Sequence, residues 1–154
     1  GTRKRVSDKI IEVLDNYQKN YKELVPAKGN IETILLESFI QHKEDPSVYA
    51  NKLLIQVADT NFDEEIDDAI FDIEAADKGS KENFEQSIND LRELRTQIKN
   101  HAEKYNTKTG ILKQSLDIIN SKIEEYKAHL ADDFGVQNDN ETDSVEYEQI
   151  KGKL

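Results

Sequence analysis

From Phe84 to Leu130 the sequence carries a marked position at alternating spacings of four and three, without a slip. The series is Phe84, Ile88, Leu91, Arg95, Ile98, Ala102, Tyr105, Thr109, Leu112, Leu116, Ile119, Ile123, Tyr126 and Leu130. Only Arg95 and Thr109 break the apolar rule, and Leu94, Ile111 and Ile118 widen the stripe. A stripe of this period suits a helix that buries one face, and it does not suit a strand. The stretch "NTKTG", Asn106 to Gly110, has the composition of a loop. A loop usually resets the phase, however, and none is reset. Gly110 inside a helix loses only about 1 kcal/mol relative to Ala. The pattern therefore favours one long helix from about Glu82 to Ala131. The rival is a hairpin that bends at Thr107–Gly110.

The rest of the chain adds shorter helices. Ser7 is placed to cap a first one, with Ile10, Ile11, Leu14, Tyr17, Tyr21, Leu24 and Val25 inward and Pro26 as its stop. Asn30 is placed to cap a second, with Ile31, Ile34, Leu35, Phe39 and Ile40 inward. Asp45-Pro46 reads as N-cap and first helical residue of a third, which repeats Tyr49, Leu53 and Val57. The phase then slips, because Phe62 follows Val57 by five. Asn61 with Glu64, or Thr60 with Asp63, supplies a capping pattern for a fresh helix there, and Lys78-Gly79-Ser80 is the next turn. The expected fold is all-α, an elongated bundle of about five helices with one long C-terminal helix. Residues 1–131 form the bundle. Residues 132–154 form a polar, acidic tail with a short docked helix around Ser144 to Lys151, through Val145, Tyr147 and Ile150.

The stretch "DTNFDEEID", Asp59 to Asp67, places oxygen-bearing side chains at alternate positions, as a calcium loop does. An EF-hand needs Gly at its sixth position and a bidentate Glu at its twelfth. Glu64 and Ile70 stand there, so the acids read as the first turn of a helix, where unpaired backbone N–H groups stabilise them. His42, His101 and His129 are the only imidazoles. His101 and His129 lie 28 residues apart on the expected long helix and cannot share a metal, so the histidines read as surface residues. The chain has no Cys, which excludes disulfides and thiol chemistry. No triad order, phosphate cradle or HExxH is present, and carboxylate pairs are too common here to single out a catalytic one. No cofactor, metal site or catalytic residue is expected, and the chain reads as non-enzymatic.

Net charge is −11, which argues against nucleic acid as a partner. Residues 59–77 hold nine carboxylates and no Lys or Arg. Asp63, Glu64, Asp67, Asp68 and Asp72 form either a binding stripe or a solvated face. Like charges at four-residue spacing destabilise a helix by tenths of a kcal/mol each, so a sequence shaped for stability alone would intersperse bases. Lys28 beside Gly29, and Lys108 in "NTKTG", lie at expected irregular points. Each reads either as an ordinary exposed lysine or as a cation able to enter a trypsin-like specificity pocket, where a buried Asp would meet it. No apolar run reaches the ~20 residues of a membrane span. The lack of Met and of a signal peptide reads as a mature or excised segment, with Gly1-Thr2 as a cloning remnant.

"HKEDPSVYANKLLIQV", His42 to Val57, and "NFEQSINDLRELRTQIKNHAEKY", Asn83 to Tyr105, resemble the Borrelia helical outer-surface lipoproteins of Lyme-disease and relapsing-fever spirochaetes. These are the OspE/F-related proteins and the fibronectin- and C1r-binding group. The resemblance covers about half of the chain, and the Lys-, Glu-, Asn- and Ile-rich texture without Cys agrees with it. It implies a domain lipid-anchored at the bacterial outer surface through a segment outside this one. It also implies binding of a host protein, notably the complement proteases C1r and C1s, with block of the classical pathway. Some members place basic side chains in the protease active site. Those positions do not map onto particular lysines here: the chain reads Lys108-Thr109 near the second, and its acidity is a further departure. The expected partner-binding residues are Lys28, Lys108, Asp63, Glu64, Asp67 and Asp68, on a monomer. Inhibition and mere adhesion stay open, and the alternative is a structural module pairing with another coiled coil.

Overall fold

The computed structural model describes residues 2–26, 28–41, 45–137 and 142–154, with Thr2 and Lys28 described by their backbone only. Six α-helices and one π-helical turn occur among them, and no strand. The order is α1 (Thr2–Asn16), a π turn (Tyr17–Tyr21), α2 (Lys28–Gln41), α3 (Pro46–Ala75), α4 (Lys81–Tyr105), α5 (Lys113–Phe134) and α6 (Thr142–Lys151). The all-α class is as expected. The chain divides into two compact units, Gly1–Phe62 and Asp63–Leu154, and α3 contributes to both.

In the first unit the buried series is Val13, Tyr17, Tyr21 and Val25, at a strict spacing of four. Four residues overshoot a 3.6-residue turn. The π turn, with its wider i→i+5 bonding, absorbs the excess and keeps Tyr17 and Tyr21 together. Tyr17 donates its hydroxyl to the Val25 carbonyl at 2.8 Å, which satisfies a carbonyl that the helix has released. The stripe expected through Ile11 and Leu14 is one position out of phase, and Ile11 is 63% exposed. Ser7 is not a cap, because α1 runs through it from Thr2. Asn30 likewise lies inside α2. In that helix Ile31 and Ile34 are buried, whereas Ile40 faces solvent and Ser38 takes an inward position by donating to the Ile34 carbonyl.

Asp45 and Pro46 behave as their types predict. The Asp45 carboxylate accepts from the Ser47 hydroxyl at 2.8 Å and from the Val48 N–H at 3.5 Å, at the start of α3. The hydrogen bond from Ser47, with lesser help from Val48 and Lys9, holds its pKa below the usual carboxylate value. The break expected at Thr60–Asn61 does not occur. The buried aliphatic residues of α3 are Ala50, Leu54, Ala58, Ile66, Ile70 and Ile73, with Phe62 half-buried between them and Asp59 buried beside Ala58. Tyr49, Leu53 and Val57 flank this line and are half-buried. Two small alanines thus occupy the core positions, and the larger neighbours simulate a stripe that slips. Asn61 donates to the Leu24 carbonyl at 3.0 Å instead of capping a helix.

In the second unit α3 ends where Lys78 folds its ammonium back onto the carbonyls of Ile73, Glu74 and Ala76 at 2.7–3.0 Å. A cation on the free carbonyls of a helix C-terminus is favourable both as donor and as charge. Ser80 then caps α4 in extended backbone and accepts from the Asn83 N–H at 3.2 Å. The expected long helix from Glu82 to Ala131 is instead a hairpin of α4 and α5, the rival arrangement. Asn106 takes the left-handed conformation (φ 49°) and donates its N–H to the Ala102 carbonyl, and Gly110 is also left-handed (φ 77°). Asn and Gly are the residues that tolerate this region. From Tyr105 to Leu112 is seven positions, one heptad, so the four–three series continues in phase across the turn. Thr109, which broke the rule, lies exposed in that turn. On the facing seams Ile88, Leu91, Ile98, Leu116, Ile119 and Ile123 are no more than 2% exposed. Helix α5 closes at left-handed Gly135, with the Val136 N–H donated to the Leu130 carbonyl at 3.0 Å.

Arg95, the other exception in the series, is 3% exposed and anchors α6. It donates to Asp143 at 2.9 Å and also to Glu146. Arg92 donates to both Asp143 oxygens at 2.8 and 3.1 Å, and Lys127 lies 3.3 Å away. Ile150 and Leu154 are buried behind this clamp. Burial alone would raise the Asp143 pKa, but hydrogen bonds and charge from Arg92 and Arg95 pull it from 3.8 to about 2. An acid with a lowered folded pKa stabilises the fold above its unfolded pKa and loses that contribution as pH falls through the folded one. The clamp should therefore hold above about pH 4 and weaken between there and pH 2. Asp143→Asn leaves buried cations without their carboxylate and should cost about 3 kcal/mol at neutral pH. Urea denaturation from pH 2 to 7 tests both points: the wild-type curve should converge on that of Asp143→Asn at the acid end.

Candidate functional site

The acidic run of α3 divides into two classes of side chain. Glu64, Glu65, Asp67, Asp68 and Asp72 are exposed. Asp63 is half-buried and turns, with Asp67, onto Ser115 of α5. The Ser115 hydroxyl lies 2.5 Å from Asp63 and 2.8 Å from Asp67. One hydroxyl carries one proton, so it can donate to only one of the two carboxylates at a time. Asp67 is exposed, so the trio sets two carboxylates side by side at the solvent boundary. Burial pushes the Asp63 pKa up; the Ser115 hydrogen bond opposes this, while the charges of Asp67 and Glu64 add to it.

Asp63 and Asp67 form one end of a groove of about 310 Å³ between α3 and α5. Ile70, Phe71, Gln114 and Ile118 also line it, and so does Glu74, which is in an ion pair with Lys122. Phe71 is 67% exposed, a large aromatic surface left in water beside carboxylates. Asp63, Asp67 and Phe71 follow one another at four-residue spacing, which places them along one side of the helix.

The expected binding residues are thus not one site. Asp63 and Asp67 share the groove, Glu64 and Asp68 lie exposed on the same helix, and Lys108 is exposed in the α4–α5 turn. Lys28 is the first residue of α2, in the other unit, and its side chain lies outside the described residues. Sequence reasoning missed Phe71, Ser115 and Ile118 as groove residues. The signal for Phe71 was present: a bulky aromatic beside Ile70, inside an otherwise acidic run, cannot share Ile70's inward direction. Nothing in the local sequence distinguishes Ser115 from an ordinary helix-surface serine.

One of the two described histidines needs correction. His101 is 5% exposed, with its ring 5.0 Å from that of Tyr105, and is not a surface residue. His129 is exposed, as expected, and its ring stacks on Phe84 at 5.5 Å, with Asp133 3.5 Å from its Nδ1. Because Phe84 lies in the first turn of α4 and His101 near its end, the hairpin does not bring the two imidazoles together. His42 lies outside the described residues. Among the described residues no three His, Asp or Glu side chains converge to hold a metal ion, and no helix is long and apolar enough to cross a membrane.

No family model matches the chain, and neither the curated proteins nor the solved structures contain a significant match to it.

An acid with a raised folded pKa behaves oppositely to Asp143. Its contribution is most favourable below the unfolded pKa and declines as pH rises through the folded one. Asp63→Asn should therefore be neutral or stabilising at pH 7, since it removes a partly buried charge beside Asp67 and Glu64. Ser115→Ala, which removes the sole bridging proton, should be destabilising by about 1–3 kcal/mol. Thermal melts of the two variants at pH 4.5 and 7 check this. The deficit of Ser115→Ala should shrink at the lower pH, where Asp63 can carry a proton of its own.

Proposed function

We propose that this chain is a non-enzymatic, protein-binding domain held at a bacterial outer surface by a lipid anchor outside the sequence. Its target is a host serum protein, a complement serine protease of the C1r or C1s type. The resemblance of His42–Val57 and Asn83–Tyr105 to the spirochaetal lipoproteins supplies the target class. The observation that carries the binding reading is the exposed acid of α3, where Glu64, Glu65, Asp68 and Asp72 face solvent in a stretch without a single Lys or Arg. Such a face steers a basic surface toward it and costs helix stability otherwise. Lys108, exposed in the hairpin turn, is the cation placed to reach a trypsin-like specificity pocket. The alternative, a module that pairs with another coiled coil, is less well supported. The heptad seam it would use is closed between α4 and α5 of the same chain.

Association with purified C1r and C1s, followed by biolayer interferometry, tests the proposal. Binding should be one to one with a monomer. Association should slow as ionic strength rises from about 0.05 to 0.15 M, where screening shortens the reach of surface charge. The double variant Glu64→Lys/Asp68→Lys should slow association about tenfold and change dissociation little. These two residues are preferable to Asp63 and Asp67, whose contacts with Ser115 make reversal structural. Lys108→Ala should relieve inhibition of the protease if the turn enters its pocket. Failure to bind either protease at low salt would contradict the proposed target. Association unchanged by the double variant would remove the acidic helix from the interface.

A further inference from the structure

We infer that the groove between α3 and α5 is a docking site for a basic amphipathic helix of a partner protein, one that seats a large apolar side chain against Phe71 and Ile118 and a Lys or Arg between Asp63 and Asp67. The inference rests on the reading of the chain as a protein-binding domain but not on which protein it binds. The apolar part comes first. Phe71 is 67% exposed and Ile118 37%, and both line a depression of about 310 Å³. A single exposed apolar residue is ordinary, but two that border one groove mark a surface that association can bury.

The charge around this surface selects the occupant. Asp63 and Asp67 converge on one Ser115 hydroxyl, which can answer only one of them. An ammonium or guanidinium brings several donors and a positive charge to this pair of like charges. Two carboxylates are too few for a calcium cage. Nucleic acid and anionic lipid carry the wrong sign. A second copy is itself acidic, with net charge −11, and would set like charge against like. A basic protein segment is the chemistry that remains.

The spacing selects its form. Asp63, Asp67 and Phe71 succeed one another at four-residue intervals on α3, and Ser115 and Ile118 lie three apart on α5. An acidic end and an apolar end are thus one helical turn apart, about 6 Å. A helix presenting a cation and a large apolar residue three or four positions apart matches both ends at once, which is the helix-in-groove mode of recognition.

The probe is a labelled 18-residue peptide of Leu and Lys in helical period, with two comparison peptides. One has Glu in place of Lys, and the other has the same composition with the period scrambled. Fluorescence anisotropy is read on the full chain. The Leu/Lys peptide should bind, the Leu/Glu peptide should not, and the scrambled peptide should bind about tenfold more weakly. Phe71→Ser, at an exposed position, should weaken the Leu/Lys peptide about tenfold with an unchanged circular dichroism melt. Asp67→Asn should weaken it by less. Ile11→Ser, an equally exposed change in the other unit, should leave it within about twofold. Equal binding of the scrambled peptide, or no effect of Phe71→Ser, would reduce the interaction to unspecific charge and overturn the inference. A Phe71-dependent dimer in sedimentation without peptide would assign the groove to a second copy and also overturn it. Neither result depends on C1r or C1s, so failure here is distinguishable from failure of the proposed target.

Discussion

The closure of one apolar seam on itself governs the second unit. The four–three series from Phe84 to Leu130 would, as a continuous helix, expose a greasy edge along its whole length. The turn at Asn106–Gly110 folds that edge back, and α4 and α5 bury it against each other. Burial at about 25 cal/mol per Å² of apolar surface makes this the dominant favourable contribution. Two consequences follow. Arg95, a charge within the seam, is buried with it and requires a carboxylate. Asp143 supplies that carboxylate and brings α6 down onto the hairpin. The outward side of α5 is then left to present Ser115, Ile118 and Lys122 toward the acidic half of α3.

The class of fold was legible from periodicity, but the two places where helices stop and continue were read in reverse. At Asn61 a capping pattern and an apparent slip argued for a break, and the helix runs through. The reason is that Ala50 and Ala58 hold core positions that a reader assigns to Tyr49 and Val57. A core line spaced strictly by four also winds around a 3.6-residue helix, so no fixed stripe describes it. At Asn106 the phase argued for continuity, and the chain turns. Phase carries no information there, because the connection from Tyr105 to Leu112 happens to span one heptad. The composition of "NTKTG" was the better guide, since Asn and Gly are needed wherever φ is positive.

The candidate site was legible in part. The acidic run is plain in the sequence, yet the gathering of Asp63 and Asp67 onto one hydroxyl depends on Ser115, 52 and 48 residues away and on another helix. Long-range pairing of that kind leaves no local signature. The same holds for Asp143, which composition placed in a polar tail and which proves to be 1% exposed. In both cases a polar residue that looks like surface is held by a partner remote in sequence. Polar groups of the tail and of the acidic helix thus do structural work as well as carry charge. Glu64, Glu65, Asp67, Asp68, Phe71 and Asp72 of α3 remain exposed, as does Lys108 in the hairpin turn.

The claim that the heptad seam closes within one chain is open to a direct distance measurement. The sequence has no Cys, so spin labels can be introduced cleanly at Glu93 and Ser121, both exposed, on α4 and α5. Double electron–electron resonance on singly diluted, doubly labelled protein reads the separation within one chain. A hairpin, with helix axes about 10 Å apart, should give a distance below about 25 Å. A continuous helix would place the labels about 42 Å apart at 1.5 Å per residue, and that result would contradict the account.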